Sequence, residues 1–172
     1  MKDFIETVIR EAACIAGVET VLLKAKSSNI TMPKPRVEFE FLPDTFLPTG
    51  KVIAKRRQND TEVRVHERYQ VDSPVMLYLT DDNDSRLQQL SNALIMAFPK
   101  GVPDENNNWV RIKATGAEWQ SKNAPVVGTK RIEPIIERLR LIRVGFTWRL
   151  TYEQAVPYMT DIHFDVKENN HE

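Results

Sequence analysis

The most regular pattern of hydrophobic and polar residues lies towards the C-terminal end of the chain. In RLRLIRVGFTWRLTYEQ, residues 138–154, every second position from Ile142 to Tyr152 is apolar. Such alternation predicts a β-strand with one face against a core and the other towards water. The segment would extend for about 50 Å at about 3.3 Å per residue, whereas strands usually have about 5 to 6 residues. Part of this strand should therefore lie outside the core of its own chain.

Two segments have the periodicity of amphipathic helices. The first covers residues 4–16, with Asp3 placed to cap its start and Gly17 to end it. The second follows TDDNDS, residues 80–85, and stops at Pro99. The TDDNDS cluster lacks the glycine and the distal glutamate of an EF-hand calcium loop. We therefore interpret its side chains as caps of the second helix.

Four further segments are predicted to be strands. Residues 36–41 alternate between apolar and charged side chains, and so does part of residues 109–119. Residues 51–71 form two extended segments around Gln58-Asn59-Asp60, which predicts a β-hairpin. Residues 73–80 are apolar on both sides, as expected of a central strand.

The second arm of this hairpin has an interrupted alternation. We predict an apolar side made of Val63, Val65, Tyr69 and Val71, and a polar side made of Glu62, Arg64, His66, Arg68 and Gln70. Glu67 falls on the apolar side, so part of this arm is expected to project beyond the core.

These elements predict an α+β fold with a mainly antiparallel sheet, two helices packed on one face and a projecting β-hairpin, because short turns join most consecutive strands. Residues 1–167 are expected to form a single domain and residues 168–172 a flexible tail. Residues 131–138 fit either a short helix or the beginning of the long strand, and periodicity leaves both open.

Composition restricts the classes of function. The 24 basic and 24 acidic residues cancel, so no global field draws the chain to nucleic acid or to a membrane. Cys14 is the single cysteine, so the chain has no disulfide framework, and its helical position predicts a small buried hydrophobe. No apolar run approaches the roughly 18 residues of a membrane span. We expect a soluble protein made in the cytosol.

Candidate chemistry is sparse. Asp161, His163 and Asp165 could serve a small metal-dependent hydrolase, although a solvated charge ladder is the simpler explanation of these residues. Trp109 and Trp119 could line the pocket of a ligand-binding module. The basic run of residues 55–57 and the arginines of the long strand are interpreted as cross-strand pairs or subunit contacts, not as a nucleic-acid platform, since no aromatic stacking pattern accompanies them. The sequence thus predicts no enzyme, no cofactor and no metal.

The order of the segments resembles that of the tail terminator, or tail completion, proteins of long-tailed bacteriophages. The similar pieces are the opening helix MKDFIETVIREAACIAG, the strands PRVEFEF and YQVDSPVMLYLTDD, the helix SRLQQLSNALIMAF, and the strands RIKATGAEW and RVGFTWRLTYEQ. The resemblance implies a structural virion protein that forms a ring, commonly a hexamer, and closes the head-proximal end of the tail tube. Its partners would be further copies of the chain, the tail tube protein and head-tail connector proteins. A connector subunit of the neck is the nearest alternative.

An overlong alternating strand supports an assembly role independently, because a neighbouring chain must cover its exposed apolar side and unpaired amides. We predict a subunit interface that includes Arg64, His66, Arg68, Arg143, Thr147 and Arg149. From the alternation, Trp148→Asp should damage folding, whereas Arg149→Glu should spare folding and weaken association.

Overall fold

The computed structural model describes residues 1–24, 33–59, 61–123 and 136–157. These residues form the elements α1 (Lys2–Ile15), β1 (Thr20–Leu23), β2 (Arg36–Phe41), β3 (Thr45–Gln58), β4 (Thr61–Thr80), α2 (Asp84–Ala97), β5 (Gly101–Pro103), β6 (Trp109–Asn123) and β7 (Ile136–Pro157). The sequence left residues 131–138 open between a short helix and the start of the long strand. Residues 136–138 belong to strand β7. Residues 131–135 and the predicted tail lie outside the described residues.

The strands form one sheet, curled into a half-barrel, in the order β1-β2-β4-β7-β6-β5. Strand β3 pairs with the part of β4 that β2 leaves free. Strands β1 and β2 are parallel, and the other pairs are antiparallel. The prediction of an α+β fold built mainly on a sheet is confirmed. The short strands β1 and β5 were not predicted, because their few residues carry too little alternation.

The ladder between β4 and β7 is the longest pairing in the sheet. It runs from Thr61 opposite Pro157 to Thr80 opposite Leu139, and the two strands have 20 and 22 residues. The predicted long strand is thus present and longer than expected. Strand β6 pairs with β7 only as far as Thr147, so residues 148–157 pair on one side alone within the described chain.

The two helices end and begin largely as their sequences predict. Gly17 has φ 81° just after α1, a conformation that favours glycine, and the Asn83 side chain accepts a hydrogen bond from the backbone N–H of Arg86 at 3.0 Å. The prediction that Asp3 caps α1 is wrong. Met1 is the N-cap residue without a side-chain bond, and Asp3 lies within the first turn.

Cys14 is exposed, so the prediction that it is a small buried hydrophobe is wrong. The buried side of α1 is formed by Ile5, Val8, Ile9, Ala12 and Ala13, with Ala16 following after the helix. At about 100° of rotation per residue, position 14 falls on the opposite side of the helix.

One buried cluster joins both helices to the sheet. Its largest side chains are Ile5 and Ile9 from α1, Leu87 and Leu94 from α2, and Phe39, Leu77, Ile142 and Phe146 from the strands. The strand residues alternate along β2, β4 and β7, as expected when one face of a sheet is buried. We call this side of the sheet the core face and the other side the opposite face.

Two arginines of β7 connect α2 to the sheet. Arg138 donates a hydrogen bond to the Asp84 carboxylate at 2.8 Å, and Arg140 donates one to the Ser91 hydroxyl at 3.4 Å. The Arg140 guanidinium also lies 4.9 Å from the centre of the Trp119 ring. These arginines therefore serve the fold, and Trp119 packs against one of them instead of lining a pocket with Trp109.

On the opposite face, a small polar cluster connects β1, β2 and β4. Tyr78 donates a hydrogen bond to Glu40 at 2.9 Å, and the Lys24 ammonium lies 3.2 Å from the same carboxylate. The Tyr78 hydrogen bond, with a further contribution from Lys24, lowers the pKa of Glu40. The stabilisation from this charge is complete above the ordinary carboxyl pKa and is lost as the pH falls through the lowered value.

Substitutions of two phenylalanines, Phe146 and Phe46, test where the core ends. Phe146 is fully buried, whereas Phe46 is 54% exposed. We predict that Phe146→Ala lowers the free energy of unfolding by about 3–5 kcal/mol, because it leaves a cavity in the core. Phe46→Ala should lower it by less than about 1 kcal/mol. Urea denaturation of both variants measures the difference, and equal losses would contradict the assignment of the core.

Candidate subunit interface on a three-stranded ribbon

Three strand segments continue the sheet past its buried cluster. They are β3, residues 61–72 of β4 and residues 149–157 of β7, and together we call them the ribbon. No described residue of the ribbon belongs to the cluster that joins the helices to the sheet. Strand β3 is exposed at every position except Thr49, which is half-buried. The ribbon is therefore held together by backbone pairing and by contacts among its own side chains.

A β-bulge at Arg68 changes which side chains share a face. Glu67 pairs with Thr151, and Tyr69 pairs with the next residue along β7, Leu150. Directly opposed residues point to the same side of a sheet, so the alternation of β4 inverts at the bulge. The prediction of one continuous apolar side from Val63 to Val71 is therefore wrong, since Val63, Val65 and Glu67 lie on the opposite face.

Apolar side chains from all three strands come together on the core face of the ribbon. Tyr69 lies directly opposite Leu150, and the ring of Phe46 meets that of Tyr69 edge-on at 6.3 Å. In the next row, Val52, His66 and Tyr152 are paired across the three strands. We call Phe46, Val52, Tyr69, Leu150 and Tyr152 the apolar stripe. Four of its members are between 43% and 54% exposed, and Tyr69 is half-buried.

Charged side chains stabilise the ribbon from within. Arg56 of β3 donates to both oxygens of Glu153 of β7 at 2.7 Å, and this ion pair spans β4 on the opposite face. At the end of the ribbon, Arg64 donates to Glu62 at 2.5 Å, which lowers the pKa of that carboxyl. The first of these contacts links β3 to β7 across β4, and the second lies within β4.

Both long edges of the ribbon lack a strand partner among the described residues. Strand β3 pairs only with β4, and residues 148–157 of β7 also pair only with β4. Alternate N–H and C=O groups along these two edges thus remain available for pairing. The two edges lie on either side of β4 and belong to different strands.

The six residues predicted at the interface fall on two separate surfaces. Three are in the ribbon: Arg64, which is engaged by Glu62; Arg68, which is exposed in the bulge; and His66, whose ring stacks on Tyr152 at 4.9 Å. The buried Nε2 of His66 has no hydrogen-bond partner in the described chain. The other three, Arg143, Thr147 and Arg149, lie on the opposite face along one strand.

On the opposite face, the latter three residues line a groove of about 1000 Å³. Thr147 donates a hydrogen bond to Asp72 at 2.6 Å, and Arg149 lies 3.1 Å from the carboxylate of Glu67. Glu67 is only 5% exposed, so this ion pair contributes to folding. The expectation that Arg149→Glu spares folding therefore needs revision, because a second carboxylate would face a buried one. Trp148 packs partly buried against the core, as its predicted face requires.

The candidate residues of the alternative hydrolase are not among those that the structure describes. Asp161, His163 and Asp165 lie outside the described residues. Within the described ranges, no group of three or more His, Cys, Asp or Glu side chains could hold a metal ion. Neither of the described helices is long and apolar enough to cross a membrane.

No protein-family model matches this chain, and no curated protein shows significant similarity to it. The geometry of the chain itself is therefore the basis for a functional assignment.

The apolar stripe was not predicted from the sequence. Its members come from three strands, and the alternation of apolar and polar residues within a strand does not show how neighbouring strands pair. Phe46 and Leu47 precede the predicted hairpin, and the bulge at Arg68 moves Tyr69 to the side of His66. The interruption at Glu67 was the available signal, because the apolar alternation of β4 fails there and the register shifts between Glu67 and Tyr69.

The ion pair between Arg149 and Glu67 supplies a test of this geometry. Arg149→Ala should lower the free energy of unfolding by about 1–3 kcal/mol, because it leaves a buried carboxylate without its charged partner. The double variant Glu67→Gln/Arg149→Ala should recover much of the loss. Chemical denaturation at neutral pH measures both. A single variant as stable as the original protein would contradict the pairing.

Proposed function

We propose that this chain is a ring-forming structural protein of the tail terminator class, which closes the head-proximal end of a bacteriophage tail tube. The observation that carries the proposal is the ribbon, which combines an exposed apolar stripe with two unpaired strand edges. The order of helices and strands resembles that of tail terminator proteins, which suggests the class of protein. The ribbon supplies a physical reason for the chain to assemble with further copies.

The proposed architecture assigns different tasks to the two ends of the sheet. We infer that the helices pack on one face of the end where β2 and β6 flank the central ladder. The hairpin of β3 and β4 then projects from this body together with the distal part of β7. An exposed stripe of this kind is unfavourable in water, and a second protein surface that covers it removes the cost.

The two edges favour a ring over a simple dimer. A contact between the β3 edge of one copy and the β7 edge of the next would use different surfaces on each partner. Contacts of this head-to-tail kind repeat around an axis and close when the rotation between copies divides a full turn. Every edge is then paired, and growth stops at a fixed number of subunits.

The proposed partners follow from this position. Further copies of the chain would complete the ribbon, and one surface of the ring would meet the tail tube protein while the other meets the head-tail connector proteins. The protein would be made in the bacterial cytoplasm and reside in the neck of the virion. Electron microscopy of virions with labelled protein would distinguish this position from that of a connector subunit.

A matched pair of leucine substitutions tests the self-association. Leu150 of the stripe is 43% exposed and Leu23 of β1 is 58% exposed, so both tolerate an aspartate without loss of the core. Leu150→Asp should weaken self-association by about 100-fold or more, because a carboxylate would be buried without a partner. Leu23→Asp should leave association unchanged. Light scattering coupled to size-exclusion chromatography measures the mass of each.

The unsubstituted protein should have the mass of a closed ring and show annular particles by negative-stain electron microscopy. A compact monomer at every concentration, with no ring formed when tail tubes are added, would contradict the proposal. Equal effects of the two substitutions would instead show that association does not use the stripe.

A further inference from the structure

The opposite face of the sheet carries a surface that the proposed ring does not need. The groove between β4, β6 and β7 is lined by four cationic side chains, Arg111, Lys113, Arg143 and Arg149, and by one acidic side chain, Asp72. The net charge of the whole chain is zero, so positive charge is concentrated in this groove although the protein is neutral.

Three of these cations are not engaged by the fold. Arg149 is paired with Glu67, and the hydroxyl of Thr147 occupies one oxygen of Asp72. Among the residues that the structure describes, no carboxylate lies within ion-pair distance of Arg111, Lys113 or Arg143, and all three are exposed. Glu118 shares this face but is not part of the groove lining. Such a group of unpaired cations in a concave setting attracts anions.

The strand register places the three cations along one path. Arg111 and Lys113 are two residues apart on β6, so their side chains leave the same face about 6.6 Å apart. They lie opposite Thr147 and Gly145 of β7, and Arg143 follows two residues further along that strand. A ligand with one charge would engage one or two of these groups, whereas a chain of repeated negative charges would meet all three.

Gly145 keeps the floor of the groove open. It lies between Pro74 of β4 and Lys113 of β6, and a Cβ atom there would meet only the Lys113 carbonyl oxygen, at 3.8 Å. Any larger side chain would therefore extend from this position into the groove without a backbone clash.

An aromatic side chain completes the surface. Trp109 precedes the two cations of β6 on the same face, lines the groove, and is 65% exposed. Its indole is held against Gly101, where an added Cβ would come within 2.7 Å of the indole nitrogen. A fixed and exposed indole beside unpaired cations is the combination with which proteins bind single-stranded nucleic acid, through base stacking and phosphate contacts.

We propose that this groove binds single-stranded nucleic acid without sequence preference, with phosphates on Arg111, Lys113 and Arg143 and a base stacked on Trp109. An acidic polypeptide would satisfy the cations equally well but would give the exposed indole no planar partner. This proposal is independent of the ring, because every residue it uses lies within one chain and away from the apolar stripe.

Fluorescence anisotropy with a labelled oligothymidylate of about 12 nucleotides tests the proposal on the full chain. The logarithm of the association constant should fall with the logarithm of salt concentration with a slope of about −2, as three phosphate contacts require. Lys113→Ala should weaken binding by about 3- to 10-fold and reduce the slope by about 0.7. Arg10→Ala on α1, which removes one charge from the helical side of the sheet, should change neither.

Two further variants distinguish binding within the groove from non-specific electrostatic attraction to the surface. Trp109→Ala should weaken binding by about tenfold and leave the salt slope unchanged, since stacking releases no counterions. Gly145→Val keeps every charge but places a side chain in the floor of the groove. It should therefore weaken binding of the oligonucleotide by at least about tenfold. Melting temperatures of the variants establish that each is folded.

Absence of oligothymidylate binding at low salt would overturn the proposal, and so would binding that all of the groove variants retain. Tighter binding of polyglutamate than of oligothymidylate would also overturn it and would assign the groove to an acidic protein partner. The Leu150→Asp protein should bind the oligonucleotide as the original does, so failure of self-association and failure of nucleic-acid binding remain distinguishable.

Discussion

The backbone ladder between β4 and β7 determines the rest of this structure. Its two strands stay paired from Thr61 opposite Pro157 to Thr80 opposite Leu139, while the buried cluster occupies only the end that includes Val75, Ile142 and Phe146. Hydrogen bonding alone does not favour such an extension, because the same groups bond to water in the unfolded chain. The extended part must therefore gain its stability from side chains, and the ion pair of Arg56 with Glu153 is one such contribution.

The bulge in β4 changes which of its side chains each face of this ladder carries. The extra residue at Arg68 places Tyr69 beside Leu150 on the core face and leaves Glu67 with Arg149 on the other. The inserted residue thus keeps the buried Glu67 off the core face and puts the His66 ring there, stacked on Tyr152. We propose that the first surface serves contact between copies of the chain and the second serves an anionic ligand.

Much of the fold was predictable from periodicity, and the functional surfaces were not. Alternation identified the long strand, and the composition around residues 83–84 and 99–101 marked the limits of α2, because these signals are local. The apolar stripe depends on register among three strands, which a single sequence does not encode locally. The order Trp109, Arg111, Lys113 was visible on one side of β6. Its meaning required the neighbouring strand, where Gly145 and Arg143 complete the groove.

Amide hydrogen exchange along the ribbon shows whether other copies of the chain pair with its two edges, because it reports on the amides of those edges. Outward amides of β3 and of residues 148–157 should exchange slowly in concentrated protein and rapidly after dilution, whereas amides of β4 should stay protected in both. Protection of the two edges that does not depend on concentration, or exchange that is rapid throughout, would contradict the claim that other copies of the chain complete the ribbon.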